Sequence, residues 1–148
     1  MVTTVGMETS LDDLLSDLIT LDHDAADAYQ SAIDRLESTS WRESLTRFRE
    51  DHLRHTRELG DLLKARGGTP PGGGDMKSLL TSGKVVIAGL AGDDAILEAM
   101  RTNEADTNTA YERALAFQGV DAATREVFQR GLDDERRHCA WILEQRGR

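Results

Sequence analysis

From Leu11 onward, apolar residues return at alternating steps of four and three, Leu11, Leu15, Leu18, Ala25, Tyr29, Ala32 and Leu36, with Asp22 filling the one polar step. That spacing is the inner stripe of an α-helix packed on other helices. Ser10 stands where an N-cap belongs. Ser38-Thr39-Ser40 breaks the stripe ahead of Ser40-Trp41-Arg42-Glu43, which has the form of a capping box. A second stripe, Leu45, Phe48, His52, His55, Leu59 and Leu62, turns both histidines inward. Gly67-Gly68 predicts a helix end with positive φ, and the run through Pro70-Pro71 to Gly74 predicts a linker over 67–75.

Residues 76–91 alternate apolar side chains with Gly83 and Gly89, predicting a short, partly helical crossover. Ser82-Gly83-Lys84 has a fragment of a phosphate-binding loop, but Ser78 stands where the first glycine belongs and Val85 where a magnesium-holding hydroxyl does, so that reading is rejected. A third stripe, with Asp93 or Asp94 as its cap, runs Leu97, Met100, Glu104, Thr107, Tyr111, Ala114, Gln118 and stops at Gly119. The fourth, capped by Asp121, runs Thr124, Phe128, Gly131, Glu135, His138, Ile142, Gln145, widened by Leu132, Cys139 and Leu143. The expectation is an all-α, four-helix bundle in one domain spanning 1–148, two helical hairpins joined by a long crossover.

The two halves repeat. Asp22-(x6)-Tyr29 matches Glu104-(x6)-Tyr111 at an offset of 82 residues, and Asp51-His52-(x2)-His55 matches Asp134-Glu135-(x2)-His138 at 83. Such a duplication sets the two single acids opposite each other and the two paired motifs opposite each other. Asp22, His52, His55, Glu104, Glu135 and His138 then form one polar layer inside an apolar core. Unpartnered buried charge costs several kcal/mol, and a metal ion is the natural compensation.

Composition narrows the alternatives. A chain of 148 residues buries roughly two-thirds of its unfolded surface without disulfides, so a metal would serve function rather than folding. The net charge of -9 excludes a phosphate-backbone partner of the usual kind, which relies on clustered Lys and Arg. With Cys139 the single cysteine there is no intrachain disulfide and no CxxC site. The opening residues lack the pattern of a signal peptide, and the longest apolar stretch, Val85 to Ala91, is too short to span a bilayer. A cytoplasmic protein with neither nucleic acid nor membrane as partner is expected.

An acid at i and a histidine at i+3 on one helix point the same way, and Glu135 with His138 is that pair. Bundles holding two irons or manganese ions take one acid from each of two helices and a Glu-x-x-His pair from each of the others. From about Leu11 to Arg146 the chain resembles the ferritin-like superfamily, in particular its small bacterial members of poorly known function. The resemblance implies Asp22 and Glu104 as the single acids, Glu135 and His138 as one paired motif, His55 as the histidine of the other, and Tyr29 and Tyr111 at positions that often carry tyrosine. It departs at His52, which replaces a glutamate, and at Asp22, one methylene shorter than Glu.

The motif glutamates commonly bridge the metals in that superfamily, so the sequence leaves Glu135 as the only candidate bridge from the paired motifs. Three carboxylates supply three negative charges against the four positive charges of two divalent ions. The nitrogen-rich set favours iron, zinc or copper over magnesium or calcium, with manganese further down. The expected cofactor is one or two transition metals, iron first, and the resemblance implies oxidation of iron(II) by oxygen or peroxide. The alternative is a non-enzymatic bundle whose polar layer is vestigial and whose surfaces serve stress-related binding or assembly. A monomer or homodimer is expected rather than a storage cage, which needs additional chain beyond the fourth helix.

Outside the six residues, the readings are structural. Tyr29 and Tyr111 read as packing residues before redox ones, His23 as solvated, Cys139 as a small buried hydrophobe, and Trp41 and Trp141 as covers for bundle ends. Asp24 and Asp106, at matching outer positions, are candidates to accept hydrogen bonds from the histidines.

Overall fold

Four long helices carry the four stripes: α1 (Leu11–Arg35), α2 (Thr39–Ala65), α3 (Asp93–Ala116) and α4 (Ala122–Arg146). The computed structural model describes residues 3–72 and 87–146. Most of the expected crossover, with Ser82-Gly83-Lys84, lies outside the described residues. α1 packs on α2 and α3 on α4 as hairpins, and α1–α3 and α2–α4 contacts close an all-α four-helix bundle. Among the described residues no helix is long and apolar enough to cross a membrane.

The helix ends follow the local chemistry, with two corrections. Ser10 caps α1 by accepting from the Asp13 N–H at 3.1 Å, Asp121 caps α4 by accepting from the Thr124 N–H at 2.8 Å, and Gly67 closes α2 at φ 86°. The cap of α2, however, is Ser38 rather than Ser40: its hydroxyl accepts from the Trp41 N–H, so the helix begins at Thr39, earlier than the capping-box pattern indicates. α3 starts after Gly92, at φ 93°, and neither Asp93 nor Asp94 caps it. The Asp93 carboxylate is instead engaged by the backbone N–H groups of Glu37 and Ser38, at 2.9 and 3.0 Å, which ties the start of α3 to the α1–α2 turn.

Two apolar clusters fill the interior. One gathers Leu14, Leu15, Leu18, Leu59, Leu63, Phe128 and Leu132; the other gathers Ala32, Leu36, Leu45, Phe48, Leu97, Met100 and Ile142. On α2, α3 and α4 the predicted polar residues fall between the two clusters, and on α1 Asp22 sits within the first, between Leu21 and Ala25, which makes the polar layer an interruption of the core rather than an end of it. Two stripe assignments shift outward: Leu143 is half exposed at 52% and Gln118 is exposed, because Ile142 takes the inner position on α4 and α3 has ended before residue 118. Trp41 and Trp141 meet edge to face, with ring centroids 6.5 Å apart, and Trp41 also donates to Gln145. Cys139 is only partly buried.

Candidate metal centre

Asp22 on α1, His52 and His55 on α2, Glu104 on α3, and Glu135 and His138 on α4 converge in the layer, none more than 4% exposed. Their donor atoms separate into two sets, Asp22, His52, His55 and Glu135 on one side and His52, Glu104, Glu135 and His138 on the other, each set within 4.8 Å of itself. His52 and Glu135, the equivalent positions of the two repeats, belong to both. The layer therefore has a centre with one imidazole and one carboxylate facing each other across it.

The spacings within each set suit a small cation. Four ligands at about 2.0–2.2 Å from a tetrahedral metal stand about 3.3–3.6 Å from one another. In the first set Asp22 Oδ1 lies 2.7 Å from His52 Nδ1 and 3.1 Å from His55 Nδ1, and Glu135 Oε1 lies 3.4 and 3.5 Å from the same two nitrogens. In the second, Glu104 Oε1 lies 3.4 Å from both His52 Nε2 and His138 Nδ1, and Glu135 Oε2 lies 3.8 Å from His138 Nδ1. Two atoms in the layer, Glu135 Oε1 and His138 Nδ1, are fully buried with no hydrogen-bond partner. Native interiors rarely leave such atoms unmatched, so the residues present fit a metal whose bonds they would complete.

The surrounding shell is reciprocal. The Tyr111 hydroxyl of α3 donates to Asp22 Oδ2 of α1 at 2.6 Å, and the Tyr29 hydroxyl of α1 donates to Glu104 Oε1 of α3. His55 Nε2 of α2 pairs with Asp134 Oδ2 of α4, and His138 Nε2 of α4 pairs with Asp51 Oδ2 of α2, both at 2.9 Å. Each repeat thus orients the layer residues of the other. Arg54 binds Asp51 and Asp134 together, as does Arg137, so both carboxylates are charge-matched from the outside. Thr107 reaches Glu135 Oε2 at 2.8 Å, and Asn108 Nδ2 donates to the main-chain carbonyls of Glu104 and Glu135, locking α3 to α4 beside the layer.

These partners correct the sequence reading of the histidine acceptors at Asp106. Asp106 accepts the Thr3 N–H, and it is Asp51 and Asp134, immediately before the two paired motifs, that hold the histidines. The signal was present in the repeat, where both motifs begin with Asp, but an acid at the position before an inward residue points off the stripe; only the neighbouring helix brings it to a histidine. Tyr29 and Tyr111 are packed, as expected, and each also hydrogen-bonds an acid of the layer.

Without metal the layer is an ion-pair network. Burial alone would lower the His52 pKa, but the Glu135 charge and the bonds to Asp22 and Glu104 raise it to about 10. Burial likewise opposes protonation of His55 and His138, which Asp22 with Asp134 and Glu104 with Asp51 push up to about 9 and about 12. Asp22, against its burial, is held at about 2 by His55 and His52. Glu135 goes the other way: burial and the Glu104 charge raise it to about 7. His52 and His55 each present both ring nitrogens to carboxylates, so the metal-free rings carry protons that a cation would displace.

The fold and layer define a class: an all-α four-helix bundle with buried carboxylate and imidazole groups that could hold a metal ion. The chain belongs to the family described as "Domain of unknown function (DUF2383)", which matches residues 11–117. That span runs from the first residue of α1 to the residue after α3 and includes Asp22, His52, His55 and Glu104. No curated protein and no solved structure matches the chain.

Proposed function

We propose that the protein is a metal-binding bundle of the ferritin-like kind, with Asp22, His52, His55, Glu104, Glu135 and His138 as ligands and iron as the physiological metal. The observation that carries this reading is the pair of four-residue donor sets at metal-compatible spacing, with Glu135 Oε1 and His138 Nδ1 buried among them without a hydrogen bond. Bound iron(II) would supply electrons to oxygen or peroxide. The chain's own residues bind and orient: Asp51 and Asp134 fix the rings of His138 and His55 with Nδ1 turned inward, Tyr29 and Tyr111 hold one oxygen of each single acid, and the two apolar clusters exclude bulk water.

The test is metal analysis of tag-free protein reconstituted with iron(II) or zinc, followed by rapid mixing of the iron(II) form with peroxide. Stoichiometric metal and a near-ultraviolet absorbance change are expected. Absence of bound metal after reconstitution with either ion overturns the reading; bound metal with an unchanged spectrum limits it to storage or structural binding.

A second reading is favoured by one observation: apart from those two atoms, the layer nearly satisfies itself with its own hydrogen bonds. In that reading the polar layer is a relic in a non-enzymatic bundle. Leucine at both His55 and His138 separates the two. A relic predicts a neutral or stabilising change, whereas a metal site predicts lost metal stoichiometry and a melting temperature that added metal no longer raises.

A further inference from the structure

A histidine at position 52, where the superfamily pattern has a glutamate, takes a carboxylate bridge away from the centre, since a neutral imidazole has one lone pair to offer. The geometry gives the ring a different role. Its Nδ1 faces the first donor set, 2.7 Å from Asp22 Oδ1 and 3.4 Å from Glu135 Oε1, while its Nε2 faces the second, 3.4 Å from Glu104 Oε1. The two nitrogens of one ring thus address two sets that otherwise share only Glu135. We propose that His52 is a bridging ligand, binding one divalent metal through Nδ1 beside Asp22 and His55 and a second through Nε2 beside Glu104 and His138.

Charge supports the same assignment. Asp22, Glu104 and Glu135 carry three negative charges, one short of the four positive charges of two divalent ions. A ring bonded through both nitrogens has lost both N–H protons to solvent and is an anionic imidazolate. The site then holds four negative charges against four positive, neutral as a buried centre requires. The outer carboxylates do not disturb this balance, because Asp51 and Asp134 are matched by Arg54 and Arg137. Packing holds the ring in this orientation: it is fully buried and lies against the Tyr29 ring, with centroids 5.3 Å apart and 32° between planes.

An imidazolate bridge and a carboxylate bridge place the metals differently. Two bonds of about 2.0–2.1 Å from opposite ring nitrogens set the ions about 6 Å apart, whereas the compact two-metal sites of hydrolytic and redox enzymes hold them about 3.5–4 Å apart. The bridge rests on the metal-binding reading above, and its test uses zinc(II) so that the two can fail separately. Crystals of the zinc-loaded protein, with anomalous data across the zinc edge, are expected to show two peaks flanking the His52 ring about 6 Å apart. Two peaks about 3.5–4 Å apart on the Glu135 side overturn the bridge and leave metal binding intact. So does a single peak. No bound zinc, with no iron bound in the parallel reconstitution, overturns both. In solution, His52→Gln retains one donor atom and is expected to take up one zinc where the native chain takes two; a variant that still binds two with unchanged affinity also overturns the bridge.

Discussion

Glu135 is the residue on which opposing demands fall most heavily. It is fully buried beside Glu104, which raises its pKa to about 7, yet it is the carboxylate common to both donor sets. A carboxyl with a raised pKa makes the folded state bind more protons between the unfolded value of 4.5 and about 7, so stability falls as pH rises through that window and the full cost persists above it. Glu135→Gln removes that cost. At pH 8 the metal-free variant is expected to be more stable than the native chain by about 1–3 kcal/mol in urea unfolding, while its zinc affinity falls at least tenfold. A variant destabilised in the absence of metal would contradict the assignment of Glu135 as the strained member of the layer.

At the scale of elements, close approach and caps do what the hydrophobic stripe cannot. Gly131 occupies an inner position of α4 where a Cβ would overlap the Tyr111 ring at Cε1. Its lack of a side chain lets α3 and α4 approach with the tyrosine directed at Asp22. Gly131→Ala is expected to cost about 1–3 kcal/mol through overpacking, despite the better helix propensity of alanine. Because the displaced ring releases the Asp22 oxygen, the variant should also bind zinc more weakly, measurable by competition with a chromogenic chelator. The start of α2 offers a second check. Ser38→Ala should lose about 1 kcal/mol by removing the cap, and Ser40→Ala should lie within a few tenths of the native value, both read from thermal unfolding.

For the molecule as a whole, the layer sets how stability responds to pH and to metal. The metal-free histidines have folded pKa values raised above 6.5, to about 10 for His52 and about 9 for His55. Their contribution is complete below pH 6.5 and is lost as pH rises through those values, at roughly 1.4 kcal/mol per pH unit for each ring in transit. Asp22, depressed to about 2, contributes above 3.8 and loses its contribution as pH falls from there. The metal-free protein should therefore be most stable at mildly acidic pH and weaken between pH 6.5 and 9. Zinc bound as proposed would reverse the trend, because ligand nitrogens must shed their protons to bind it. The rise in melting temperature on adding zinc is expected to widen from pH 5.5 to 8.5; a constant or shrinking difference would show that metal does not displace the histidine protons.

The alternating steps of four and three were sufficient to place Asp22, His52, His55, Glu104, Glu135 and His138 on the inner faces of four helices, since a helix of fixed pitch carries residues at that spacing on one side. The repeat at offsets of 82 and 83 residues was sufficient to set them at one level. Periodicity along one helix carries no information about the rotation and height of its neighbour, and what the sequence missed around the polar layer belongs to that relation. Tertiary packing decided that Asp51 and Asp134 exchange partners across α2 and α4, that Asp93 serves the α1–α2 turn rather than its own helix, and that the two nitrogens of His52 face different donor sets. Hydrogen bonds between helices depend on ångström-scale placement of side-chain ends, which the sequence determines only through the packing of the entire bundle.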